Sequence, residues 1–115
     1  MVSKSNSNAI AACLAFALPF AATAQTAAAP TGDAKRGAQL TYTCLGCHGI
    51  TGYKNSYPNY HVPRIGGQSR GYLSAALTEY KTGKRKHPTM QVQASSFSDQ
   101  DIADIAAYLS SLKKK

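Results

Sequence analysis

Residues 44–48 read Cys44-Leu45-Gly46-Cys47-His48, three scarce residue types inside five positions. C-x-x-C-H is the spacing of covalent haem attachment. Two thiols three residues apart, on one turn at the end of a helix, reach the two vinyl groups along one edge of a haem. Each adds across a vinyl to form a thioether, and the next residue, His48, points its imidazole at the iron from the proximal side. Three blander readings compete. A thioredoxin-like redox pair wants a βαβ setting, and no segment of this chain alternates convincingly as a strand. A zinc site needs two further ligands; His61 and His87 are at hand but do not fall in the usual paired spacing. A disulfide between Cys44 and Cys47 closes too short a loop to add much stability.

Helical patterns lie on both sides of the motif. Upstream, Asp33 is a good N-cap, and Ala34, Ala38 and Tyr42 recur at helical spacing. Gly37 interrupts this helix at a cost of about 1 kcal/mol relative to Ala, which a second helix crossing closely over it explains better than propensity does. Downstream, Gly49 to Gly67 is rich in Gly, Pro, Asn and Tyr and reads as loop. A second helix is expected from Ser69 to Thr82, with Tyr72, Leu73, Ala76, Leu77 and Tyr80 as one apolar stripe and Gly83 as its stop. Lys84 to Ser96 reads as irregular, interrupted by Pro88. In the last helix Ser98 and Asp101 resemble a capping box, and Ile102, Ile105, Ala106, Leu109 and Leu112 form the buried stripe. The expected fold is all-α, three principal helices whose long loops need something to wrap around.

The start of the chain reads differently. Residues 1–24 have the anatomy of a secretory signal peptide: Lys4 in a polar start, an apolar run from Ala9 to Phe20, and Ala22-Thr23-Ala24 as the cleavage pattern. The run is too short for a membrane span, which takes about 20 residues. Cys13 precedes most of the apolar run, the wrong order for a lipoprotein, and is expected to leave with the signal. Residues 25–32 are a flexible lead-in, and 33–115 form the single domain that 115 residues allow. Removal of the leader leaves Cys44 and Cys47 as the only cysteines and Met90 as the only methionine.

Met90 is therefore the candidate for the second axial position. It follows Pro88 in the one long segment free to close over the other face of a haem. A lone Met is otherwise a core gap-filler, and His87 is the competing ligand. The formal charge of +8, from 13 Lys and Arg against 5 Asp and Glu, argues for an anionic partner surface. Export and the absence of a reading module exclude nucleic acid.

These features together resemble the class I monohaem cytochromes c, of the small bacterial periplasmic sort. The matching positions are Gly32-Asp33-Ala34 with Gly37, then Cys44-Leu45-Gly46-Cys47-His48-Gly49, Pro63-Arg64-Ile65-Gly66-Gly67-Gln68, Tyr72-Leu73, Gly83 with Arg85, Met90, Asp101 and Ala107-Tyr108-Leu109. The resemblance implies that the terminal helices cross with Gly37 against Tyr108, and that the Pro63 carbonyl accepts from Nδ1 of His48. The segment between His48 and Pro63, with Tyr53, Tyr57, Tyr60 and His61, is a few residues longer than is usual there.

The expected protein is a periplasmic electron carrier rather than an enzyme. It holds one covalent haem c through Cys44 and Cys47, with His48 and Met90 on the iron, and no integral membrane segment after signal cleavage. It would pass electrons from a donor dehydrogenase or reductase to an acceptor such as a terminal oxidase. Two alternatives stand beside this: a haem enzyme or small-ligand sensor with an open or displaceable distal site, and a dedicated electron-accepting subunit of one dehydrogenase. Redox partners are expected to carry an acidic docking surface for the basic run Lys81, Lys84, Arg85, Lys86 and His87, which is otherwise a solvated face.

Overall fold

The computed structural model describes residues 28–51 and 61–113, so the expected signal peptide, residues 1–24, lies outside the described residues. The elements, in chain order, are α1 (Ala34–Leu40), a 3₁₀ turn (Thr41–Cys44), α2 (Leu45–His48), α3 (Arg70–Lys81), α4 (Pro88–Ser95) and α5 (Asp99–Ser111). Among the described residues there is no strand. No helix among them is long and apolar enough to cross a membrane.

α5 is the element on which the others assemble. Its start is set by a full capping box: the Ser98 hydroxyl accepts from the Asp101 N–H at 3.1 Å, and the Asp101 carboxylate accepts from the Ser98 N–H at 2.8 Å. Of the expected stripe, Ile102, Ile105, Ala106 and Leu109 are buried in the core, while Leu112, past the end of the helix, packs on it only partly buried. α1 and α3 both pack on α5, and α4 packs on α3. Leu73 of α3 joins the core, and so does Ile50, which lies just past the C-x-x-C-H stretch in a segment read only as loop.

α1 crosses α5 at Gly37. A Cβ added there would overlap the Asp104 carbonyl and stand 2.9 Å from Cβ of Tyr108, so the anticipated meeting of Gly37 and Tyr108 is present. The contact begins before α1 does. The Thr31 carbonyl accepts from Gln100 at 2.9 Å, and Gly32 lies directly against the backbone of Ala103.

Three local readings are corrected. Tyr42 is not on the α1 stripe: the chain tightens into the 3₁₀ turn at Thr41, which changes the angular step per residue and turns Tyr42 out to 76% exposure. The segment after Lys84 is not irregular throughout, because Pro88–Ser95 is a helix. Pro88 stands at its first position, where a missing N–H costs nothing, and His87 caps it. The α3 stripe also divides in two. Leu73 and Leu77 turn to the core, whereas Tyr72 and Tyr80 share a neighbouring face occupied by Arg85.

The buried carboxylate of Asp104 is the polar centre of the α1–α5 crossing. It accepts from the Asp33 N–H at 2.7 Å, from Gln100 at 2.8 Å and from the Arg36 guanidinium, which also pairs with Asp101. The Asp33 N–H, and after it Arg36, hold the Asp104 carboxyl below the ordinary value, while Ser98 does the same for Asp101. A carboxylate ionised more readily folded than unfolded stabilises fully above its unfolded pKa, and that stabilisation fades as pH falls through the folded value. Asp104→Asn is therefore expected to melt earlier at neutral pH and to show a flatter fall in melting midpoint than wild type on acidification below pH 3.8, the ordinary carboxylate value. Parallel midpoint-against-pH curves for the two proteins would remove Asp104 from the acid response.

Candidate functional site

The site begins where α1 runs into the 3₁₀ turn. That turn ends on Cys44, and α2 follows with Leu45, Gly46, Cys47 and His48. The two thiols therefore sit at either end of a single helical turn. Both are free, with Cys44 half-buried against the core and Cys47 exposed. Burial pushes the Cys44 thiol up from its ordinary value. Leu45, between them, packs on the core and keeps α2 against the body of the protein.

α2 stops at Gly49, which adopts φ 58 and ψ 49 and returns its N–H to the Leu45 carbonyl at 3.0 Å. A left-handed residue is needed at this point, and glycine takes it without the Cβ clash. His48 is thus the last residue of its helix, and its ring lies within reach of the segment that returns after the loop.

That segment is fixed by its own contacts. Ile65 packs on the core, and the Gly67 N–H donates to the Leu109 carbonyl of α5 at 2.8 Å. With the segment so held, the Pro63 carbonyl lies 2.7 Å from Nδ1 of His48. A carbonyl can only accept, so Nδ1 carries the proton and Nε2 keeps its lone pair for a metal. The carbonyl expected from the resemblance to accept from His48 is in place, despite the added residues between His48 and Pro63. Of those, residues 52–60, Tyr53, Tyr57 and Tyr60 included, lie outside the described residues.

Met90 is half-buried in the first turn of α4 rather than on a loop. Its backbone N–H donates to Nδ1 of His87 at 3.3 Å, so one nitrogen of the competing ligand serves as the helix cap. His61 is exposed, in a stretch without regular structure. Among the described residues no group of three or more His, Cys, Asp or Glu converges as a metal cluster, so His61 and His87 do not join the cysteines as zinc ligands.

The donor set fits a covalently held haem. Two free thiols share one turn, and the adjoining imidazole has its remote nitrogen reserved by a backbone carbonyl on the near one. Sequence reasoning placed Arg85 in the family pattern and in the basic run but missed its packing on α3. Its guanidinium lies 5.8 Å from the ring centroid of Tyr72 and 5.3 Å from that of Tyr80, just before the Met90 helix. The tyrosines at 72 and 80 share a helix face and were the available signal.

Residues 34–113 match the family model described as Cytochrome c. The chain is 43% identical over 83 residues to Cytochrome c-554(548) of Halomonas halodenitrificans, covering 70% of this chain and 96% of that protein. It is 40% identical over 82 residues to Cytochrome c4 of Pseudomonas aeruginosa, covering 71% of this chain but only 39% of that protein. It is 36% identical over 80 residues to the cytochrome subunit of sulfide dehydrogenase of Chlorobaculum tepidum, covering 70% of this chain and 69% of that subunit.

Proposed function

The chain belongs to the class I cytochrome c family, whose members hold one covalent haem c and transfer electrons, and from that premise we propose that it is an exported, periplasmic one-electron carrier. Cys44 and Cys47 would hold the haem through thioethers, and Nε2 of His48 and the Met90 thioether would ligate its iron. A haem c so bound supplies reversible one-electron chemistry at its iron. The protein's part is to hold and orient. Pro63 fixes the orientation and tautomer of the His48 ring through the Nδ1 hydrogen bond. Met90 as the partner of His48 favours a higher potential than a second histidine. The observation that carries the reading is the Pro63–His48 hydrogen bond one residue after the second thiol.

Acidified organic solvent is the direct test. Haem is expected to stay with the polypeptide, and clean extraction of free haem would end the covalent reading.

Export is read from residues 1–24, and the operating partners are read from charge. Lys81 is paired with Asp99 at 2.8 Å, which leaves Lys84 and Lys86 as the exposed lysines of the basic run. An acidic docking surface on the partner would be steered towards them. Second-order electron-transfer rates are then expected to fall as ionic strength shortens the Debye length to about 10 Å and below. Lys84→Glu with Lys86→Glu is expected to slow the reaction several-fold at low salt and to converge with wild type at high salt. Rates indifferent to both changes would make the run only a solvated face.

A second reading, as the dedicated electron-accepting subunit of one dehydrogenase, is favoured by the relative named as a cytochrome subunit of sulfide dehydrogenase. Co-purification from the membrane and soluble fractions of the source cells separates the two. A single stoichiometric partner would favour the subunit.

A further inference from the structure

Thr82 and Gly83 close the end of α3 with bonds to Thr78 and Tyr80, and beyond them the connection between α3 and α4 is held to α3 through Arg85. Its backbone N–H donates to the Glu79 carbonyl at 3.1 Å. Its side chain lies within 6 Å of two ring centroids, those of Tyr72 and Tyr80, the distance at which cation–π attraction operates. Positions 72, 76 and 80 share one helix face, and eight residues of helix span about 12 Å. A guanidinium near both rings therefore lies between them, over the middle position, where the small side chain of Ala76 leaves room. The planar guanidinium suits such a slot better than an ammonium would.

The path from this anchor to Met90 is short and stiff. Gly83 takes φ 75 and turns the chain off the end of α3. After Arg85 come Lys86, the cap His87, and Pro88 at the first position of α4, with Met90 in the opening turn. α4 packs on α3 with Ala94 fully buried, while Val92 is 69% exposed, so the arrival of the chain at Arg85 helps to set where along α3 the helix begins.

We propose that Arg85, clamped between Tyr72 and Tyr80, is a positioning residue that sets the register of the Met90 helix and so keeps the Met90 thioether in its axial place. The proposal rests on the reading of Met90 as the distal ligand. Arg85 touches no reacting group and acts only through the chain it anchors.

The test uses the oxidised, haem-loaded protein and imidazole, a ligand that competes with the thioether for the iron. Wild type is expected to show the weak far-red band of thioether-to-iron charge transfer and to bind imidazole poorly. Arg85→Ala is expected to weaken the band and to bind imidazole about tenfold more tightly, as loss of one or two cation–π contacts allows. Tyr72→Leu with Tyr80→Leu keeps the Arg85 charge but removes the slot, and is expected to give the same tightening. Unchanged imidazole affinity in Arg85→Ala, with or without a lower melting midpoint, would overturn the proposal. So would a response in Arg85→Ala that the tyrosine double variant lacks. A wild type without the far-red band would instead remove Met90 from the iron, and the positioning role with it.

Discussion

Met90→His is expected to abolish the far-red band of the oxidised protein and to lower its reduction potential by a sizeable part of the roughly 0.8 V that axial ligation spans among haem proteins. The thioether sulfur is a soft, neutral donor that favours the reduced iron, and an imidazole in its place favours the oxidised form. Met90 is half-buried in the first turn of a helix whose start is pinned by Pro88 and His87. A replacement at 90 therefore changes the donor while the backbone that delivers it stays. Met90→Ala is expected to lose the band as well and to admit added imidazole freely. Spectra and potentiometry of the two variants decide the matter. If Met90→Ala kept the wild-type spectrum and potential, the distal ligand would have to be His87 or His61.

Gly37→Val should produce the largest loss of stability of any single change at the α1–α5 crossing. The first atom added would meet the Asp104 carbonyl, which is backbone of α5 and cannot rotate away, and then Cβ of Tyr108 at 2.9 Å. Overpacking usually costs about 1–3 kcal/mol, and a clash with rigid backbone belongs at or above the upper end. For a domain of this size that corresponds to a fall of more than about 10 °C in melting midpoint. The haem spectrum of the folded protein is expected to stay nearly normal, because the substitution is on α1 and not on the turn that carries Cys44. Thermal melts followed in the haem band and by far-ultraviolet circular dichroism are the measurement. An unaltered midpoint would show that α1 can shift on α5 without cost.

Much of this protein was legible in its linear order, because the forces concerned act locally. Cys44, Cys47 and His48 are brought together by one helical turn, so their spacing alone implies their chemistry. α3 and α5 announced themselves by apolar residues at helical spacing, α3 with Gly83 as its stop and α5 with a capping box in which Ser98 and Asp101 pair as expected; Ser69, expected only as the start of α3, is its cap. α4 did not, since only Met90 and Ala94 share a face, too short a stripe to read, and Pro88 reads equally well as a break or a start. Tyr42 failed for the opposite reason: it continued a pattern whose helix had already tightened into a 3₁₀ turn.

What only tertiary structure decided are the contacts between residues far apart in the chain. Linear order places Asp104 as one more acid near the start of α5; the crossing of α1 makes it a buried acceptor for Asp33, Arg36 and Gln100. It shows Arg85 as one base in a run of bases; the packing of the connection on α3 puts it between two tyrosine rings. Periodicity reports which face of a helix avoids water, because that depends on the 3.6-residue turn alone. It carries no record of which polar groups will be buried together, because that depends on where a second segment arrives.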